Sequence, residues 1–310
     1  MKIFNSIKSF HVTKPTIVTI GTFDGVHLGH RKILEQITKS AHALDCESLV
    51  LTFFPHPRMV LQEGTEMKQL NTLDEKINLL DSLGIDNLVV HPFDKDFSRL
   101  TAEEFVKEVL VDVFQIKKII IGHDHRFGRN RTANIDDLIT FGETYGFEVE
   151  QISAEEIDEV SISSTKIRNA LLEGNIELAT TYLGYNYSLT GIVSKGKHLG
   201  STIGYPTANI KIEESYKLIP LNGVYIAKSI LEEKTVYGMM NIGTRPTVDG
   251  TTQTIEINFF DFKQDLYNQK ITVSLLLRMR SEQKFESVDA LKNQLGKDKI
   301  MAENYLSQSR

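Results

Sequence analysis

Cysteine is almost missing from this chain of 310 residues. Cys46 stands alone, which excludes an intramolecular disulfide and a cysteine-built zinc cluster. No run of ~18 apolar residues occurs anywhere, and the opening MKIFNSIKSFHVTK lacks the unbroken apolar segment of a secretory signal. There is no fixed-period repeat and no low-complexity tract. Charge of one sign is not in large excess either: a formal net charge of −6 argues against a broad electrostatic grip on DNA or RNA. A nucleotide needs only a local positive site, so the same charge leaves that ligand open. These absences predict a cytoplasmic protein with neither nucleic-acid nor membrane partners. What is present, 41% apolar and 25% charged residues, is the composition of a globular protein, and the length suits two domains.

The two halves have different grammar. Short, nearly continuous apolar runs at 16–20, 48–53, 87–90, 117–121 and 148–152 read as strands buried on both faces. Helix patterns near 30–44, 72–83, 101–114 and 134–145 separate them. Capping-box spacing marks two of the helix starts, Thr72 with Glu75 and Thr101 with Glu104, and Gly84 stands where a helix end needs a left-handed residue. Such alternation predicts a Rossmann-like, doubly wound α/β fold on an open parallel sheet, with ligands beyond the carboxyl ends of the strands. From about Tyr187 the runs YSLTGIV, GVYIAKSI, KTVYGMMNI, QTIEINFFDF and ITVSLLLRM are β-rich and broken by Gly, Pro and Asn. Only the tail, 287–306, reads as a helix. This half predicts a closed, mostly antiparallel β-barrel. The boundary is placed in LGYNY, giving domains 1–185 and 186–310.

The first strand leaves through GTFDGVHLGHR at Gly21–Arg31. Its glycines let backbone N–H groups approach a ligand, and the following helix aims its N-terminal dipole at the same place. Two imidazoles three apart, His27 and His30, can reach a phosphate chain and stabilise charge developing on it. A pair of turn histidines that merely caps a helix or faces solvent is the alternative. Zinc needs further ligands, and the dinucleotide pattern Gly-x-Gly-x-x-Gly is absent from this loop. A second motif, SISSTKIRNAL, places Ser163, Ser164, Thr165, Lys166 and Arg168 just before a helical pattern, as a clamp on polyphosphate or simply an N-cap.

In the second half, GKHLGSTIGYPTANI carries Gly196, Gly200 and Gly204, which can close over phosphates. Thr207 and Asn209, two apart, project to one side of an extended segment, where a hydroxyl and an amide oxygen can hold Mg²⁺. The Walker pattern is absent, and a turn-rich β connection is the plain alternative.

Together with FFPHP (Phe53–Pro57), IGHDHRFGRN (Ile121–Asn130), NGVY, NIGTRPT, IEINFFDF and RSEQKF, these motifs resemble the bacterial bifunctional riboflavin kinase/FAD synthetase family, in its order and over nearly the whole chain. The resemblance implies phosphorylation of riboflavin to FMN in the barrel and adenylylation of FMN to FAD in the sheet domain. Each step consumes ATP with Mg²⁺, and ADP and pyrophosphate are released. For adenylyl transfer it implies that Gly21, Phe23, Asp24, His27, His30, Ser164, Thr165 and Arg168 bind ATP, with the two histidines catalytic, and that His56 and Asp124 meet the flavin. For the kinase it implies ATP on Gly196, Gly200, Gly204, Thr207 and Asn209, and Mg²⁺ on Thr207 and Asn209. Glu256 becomes the general base on the riboflavin 5′-hydroxyl, with Arg280 and Phe285 near the flavin. Viewed alone, a glutamate in IEI is an ordinary solvent-facing strand residue. The chain departs from the family pattern at His125, Ser201 and Tyr205. Two competing readings are a nucleotidyltransferase with another acceptor and a non-enzymatic flavin- or nucleotide-binding regulator.

Overall fold

A computed structural model describes residues 1–62, 67–123, 126–153, 162–195, 199–247 and 250–308. The chain divides into two compact units, Met1–Ser164 and Thr165–Arg310.

The first unit is a six-stranded sheet in which every pairing is parallel, ordered β1-β4-β3-β2-β5-β6. The strands are β1 Lys2–Phe4, β2 Thr16–Ile20, β3 Glu47–Phe53, β4 Asn87–His91, β5 Ile116–Gly122 and β6 Glu148–Ile152. Five coincide with the apolar runs to within a residue at each end. The edge strand β1 was not expected, because KIF is too short to show periodicity. Alternation divides the strand residues between two cores. Ile17, Val50, Leu88 and Ile120 pack with Ile33, Leu34 and Ile37 of α1 (Leu28–Ala43) and Leu80 of α3 (Leu73–Ser82). Val18, Leu49, Leu51, Val89, Ile119 and Ile121 pack on the other face with Phe105, Val106, Val109 and Leu110, and with Leu138 of α5 (Ile135–Tyr145). Helices therefore cover both faces, as a doubly wound sheet requires.

Both expected capping boxes form, Thr72 with Glu75 and Thr101 with Glu104. Gly84 follows α3 at φ +75°. The helix expected over 101–114 begins as α4 (Ala102–Glu104) and continues as a π-helix, Phe105–Val113. The short helix α2, Pro57–Leu61, was not anticipated. Strand order reverses at β2, whose neighbours are β3 and β5, so the Gly21–Arg31 turn leaves the sheet at its topological switch point.

The second unit is a closed barrel ordered β10-β11-β8-β7-β12-β9, with antiparallel pairing at every seam. Its strands are β7 Ser188–Ser194, β8 Ala208–Lys211, β9 Gly223–Leu231, β10 Lys234–Thr247, β11 Gly250–Phe259 and β12 Lys270–Arg280. The C-terminal helix, Val288–Gln308, matches its expectation and packs Ala302, Tyr305 and Leu306 against Ile226, Met239 and Phe260. It is not the only helix here. Ile176–Leu183 and the one-turn Leu199–Thr202 also form, the latter inside the stretch read as glycine-rich loop. The helix Ser164–Leu172 spans the division between the units, and its Leu171 carbonyl accepts from the Leu221 N–H. That attachment and the packing of Ile176–Leu183 against β12 place the division at 164/165. The boundary read from the sequence was 185/186.

Candidate functional site

Adding a turn between β2 and α1 creates the first candidate site. The turn is conformationally unusual: Phe23, Gly25 and Val26 have φ of +46°, +89° and +38°. A β-branched residue such as Val26 rarely adopts a left-handed backbone, so the conformation must be held from outside. Four distant segments hold it. The Thr22 carbonyl accepts from Lys76 Nζ at 2.7 Å and from Thr52 Oγ1 at 3.3 Å. Asp24, buried, accepts at Oδ1 from the Leu70 N–H at 2.8 Å, and its carbonyl accepts from Ser164 Oγ at 2.9 Å.

His27 is the N-cap of α1, its Nδ1 accepting from the His30 N–H at 3.4 Å. The imidazoles of His27 and His30 stack at 3.6 Å between centroids and 18° between planes, and Phe23 meets His30 edge-on at 5.2 Å. His30 is partly buried, and its Nδ1 is buried with no hydrogen-bond partner among the described residues. Burial, followed by the neighbouring His27 and Lys76, holds the His30 pKa well below its ordinary value. His27 thus does cap a helix, and in doing so it fixes its ring against His30. The turn brings Gly21, Phe23, Asp24, His27, His30 and Ser164 together.

Ser164 is not ahead of its helix, as the sequence suggested, but is its first residue, and its hydroxyl is directed to the turn. Thr165, exposed, and Arg168, partly buried, follow along the same helix in the second unit. His56 is buried and caps α2, with Nδ1 accepting from the Arg58 N–H at 3.1 Å. Asp124, His125 and Gly196 lie outside the described residues, as does the Ser201 side chain.

Lys76 was not singled out from the sequence. It lies four residues before Leu80 on the buried face of α3 and is 2% exposed. Burial pushes its ammonium down to about 8, against the raising influence of Asp24. The signal available in the sequence was a lysine in phase with a helix's apolar stripe.

The second candidate site is a ladder rather than a turn. Glu256 on β11 stands opposite Asn209 of β8 on one side and Asn241 of β10 on the other. Thr207 Oγ1 donates to Glu256 Oε2 at 3.3 Å. Register therefore assembles Thr207, Asn209 and Glu256, all partly exposed, on one face. Asn241, in the NIGTRPT motif but assigned no role, joins them. Gly200 and Gly204 shape the approach. The Tyr205 N–H donates to the Gly200 carbonyl at 2.8 Å, Gly204 has φ +87°, and a Cβ on Gly200 would overlap the Tyr205 carbonyl oxygen. A hydroxyl, two amides and a carboxylate are a set of hard oxygen donors suited to Mg²⁺.

Arg280, expected near the flavin, forms an ion pair with the C-terminal helix. Its guanidinium donates from Nε to Asp298 Oδ1 at 2.9 Å and from Nη2 to Oδ2 at 2.6 Å, while Gln294 Nε2 donates to the same Oδ1 at 2.8 Å. The pair pins the C-terminal helix to the end of β12. Phe285 lies 6.0 Å from the guanidinium carbon.

Comparison with known proteins matches both units. The family model described as FAD synthetase covers residues 9–166, and that described as riboflavin kinase covers 183–306. The bifunctional riboflavin kinase/FMN adenylyltransferase of Escherichia coli K12 is 37% identical over 93% of this chain and 92% of its own. The Bacillus subtilis protein of the same name is 34% identical over 98% and 100%. A solved structure described as "Crystal Structure of Macrolide-efflux Protein from Streptococcus pneumoniae" has TM-score 0.89 and 31% identity over 97% and 98% of the two chains. Among the described residues no helix is long and apolar enough to cross a membrane. With both family models in order and curated relatives above 30% identity along nearly the full length, the chain belongs to the bifunctional riboflavin kinase/FMN adenylyltransferase family.

Proposed function

We propose that this protein makes FAD from riboflavin in two ATP-dependent steps, phosphorylation to FMN in residues 186–310 and adenylylation to FAD in residues 1–185. The observation that carries the reading is the convergence of Thr207, Asn209 and Glu256 on one barrel face, in a chain that also stacks two histidines at a sheet's switch point.

In the first step Glu256 takes the proton from the riboflavin 5′-hydroxyl as that oxygen attacks the γ-phosphorus of ATP. Thr207 and Asn209 would hold Mg²⁺, which would offset phosphate charge. Gly196, Gly200 and Gly204 give the phosphates a close backbone. Arg280, held by Asp298, and Phe285 lie near the flavin. In the second step the FMN phosphate attacks the α-phosphorus of a second ATP and pyrophosphate leaves. His27 and His30 hold the phosphate chain and stabilise the charge that builds on it. Gly21, Phe23 and Asp24 present the turn, Ser164, Thr165 and Arg168 grip the nucleotide, and His56 and Asp124 meet the flavin. We place both reactions in the cytoplasm, where ATP is supplied and a lone thiol stays reduced.

Incubation with riboflavin, ATP and Mg²⁺, followed by chromatographic separation, tests both steps. The expected products are FMN and then FAD. FMN accumulating alone overturns the reading of the sheet unit, and formation of neither FMN nor FAD overturns that of the barrel.

A further inference from the structure

A fully desolvated ammonium carries a cost of several kcal/mol that an apolar side chain of similar shape avoids. Lys76 bears that cost within reach of the first site, and its hydrogen bond does not explain why. The Thr22 carbonyl it meets at 2.7 Å already accepts from Thr52 Oγ1. An uncharged donor on α3 serves equally well as a tether, so what the lysine adds is its charge.

We propose that Lys76 is a positioning residue for adenylyl transfer, a fixed cation that holds the Gly21–His30 turn and sets the electrostatic state of its histidine pair for a triphosphate. The inference rests on the function proposed above. Among the described residues, the charged and titratable groups that bear on Lys76 include Asp24 and His30. Asp24 lies on the turn it tethers, and His27 and His30 are stacked at the start of α1. Glu75, the preceding residue on α3, is directed to its own helix cap, its Oε2 accepting from the Thr72 N–H at 2.9 Å. Asp24 offsets part of the lysine charge, and its Oδ1 is engaged by the Leu70 N–H. A positive charge in this position disfavours a proton on His30, adding to burial and to His27, the larger causes of that ring's lowered pKa. It also adds to the positive end of α1, and because it is buried and anchored it acts on an incoming polyanion without reorganising during the reaction.

Lys76→Gln tests this, since it keeps a donor for the Thr22 carbonyl and removes the charge. The kcat/KM for FMN adenylylation is expected to fall about tenfold or more, the scale of losing one electrostatic contributor. The NMR titration of His30 moves to higher pH, and riboflavin phosphorylation by the same chain is retained. Lys76→Arg keeps the low His30 titration and more adenylylation than Lys76→Gln. Unchanged adenylylation in Lys76→Gln overturns the proposal. So does a loss of activity with the His30 titration unmoved, or loss of cooperative melting of the sheet unit, since either makes the lysine a structural residue only. If the wild-type protein converts no FMN to FAD, it is the assigned function that fails, not this inference.

Discussion

The turn after β2 and the ladder around Glu256 both gather polar groups, and they are built in opposite ways. The turn is left-handed at three positions and is held by Thr52, Lys76, Leu70 and Ser164, which come from four separate stretches of sequence. The ladder is regular. Adjacent strands set Glu256 beside Asn209 and Asn241, and the geometry follows from backbone register alone. A site made by register tolerates side-chain replacement without losing its shape. A strained turn keeps its shape only while its distant supports remain.

The largest effects expected follow from removing one reacting group from each site. Glu256→Gln is expected to lower riboflavin phosphorylation by about 10²–10⁴-fold, the range for a general base, while added FMN is still converted to FAD. His30→Ala is expected to lower adenylylation by about 10²–10³-fold and spare FMN formation. Product chromatography reads both. Failure of folded Glu256→Gln to convert added FMN, or of folded His30→Ala to form FMN from riboflavin, breaks the comparison, because the two sites then do not act separately.

An intermediate effect is expected at the barrel's helix. Asp298 is 2% exposed and receives three hydrogen bonds from the Arg280 guanidinium and one from Gln294. Asp298→Ala leaves a largely buried guanidinium unpaired, which costs about 3 kcal/mol. In calorimetry that corresponds to a fall of roughly 10 °C in the melting of this unit. Riboflavin phosphorylation measured well below that melting temperature is expected to persist if the ladder carries the chemistry. Its disappearance makes the helix part of the reacting site and narrows the contrast between the two regions.

Local pattern explains what could be read in advance. Continuous apolar runs located the five longer strands of the sheet, and cap spacing located α3 and α4, because both signals are complete within a few residues. Motifs singled out His27, His30, Thr207, Asn209 and Glu256, and the structure stacks the first two and sets the other three side by side. The supports were not singled out. Thr52 and Lys76 meet on the Thr22 carbonyl only after two parallel crossovers have closed, and nothing near either residue announces the meeting. The partner of Arg280 was equally out of sight: its motif says nothing of the carboxylate eighteen residues later, on the next helix, that pairs with its guanidinium. Asn241 was assigned no role because its place beside Glu256 depends on a register with β11 that its own strand does not encode.

The smallest effect expected is a pH dependence peculiar to the turn. His30 has a folded pKa well below its ordinary 6.5, with burial as the main cause and His27 and Lys76 adding to it. Between that lowered value and 6.5 the unfolded chain holds a proton that the folded chain does not, so stability rises with pH and is lost on acidification. Lys76 behaves alike in an alkaline window. Its folded pKa is about 8 against 10.5, so between those values stability again rises with pH. Each window has a limiting slope of about 1.4 kcal/mol per pH unit. Denaturant melts of the wild type and His30→Gln, run from pH 7 down to 5, isolate the first window by difference, since carboxylate contributions are common to both. The wild-type curve is expected to fall more steeply. The Lys76→Gln difference from pH 8 to 10 isolates the second window, and the wild type is expected to gain on the variant as pH rises. Parallel curves in both windows mean that the turn does not strain its ionisable groups, and with that the contrast to the ladder loses its electrostatic half.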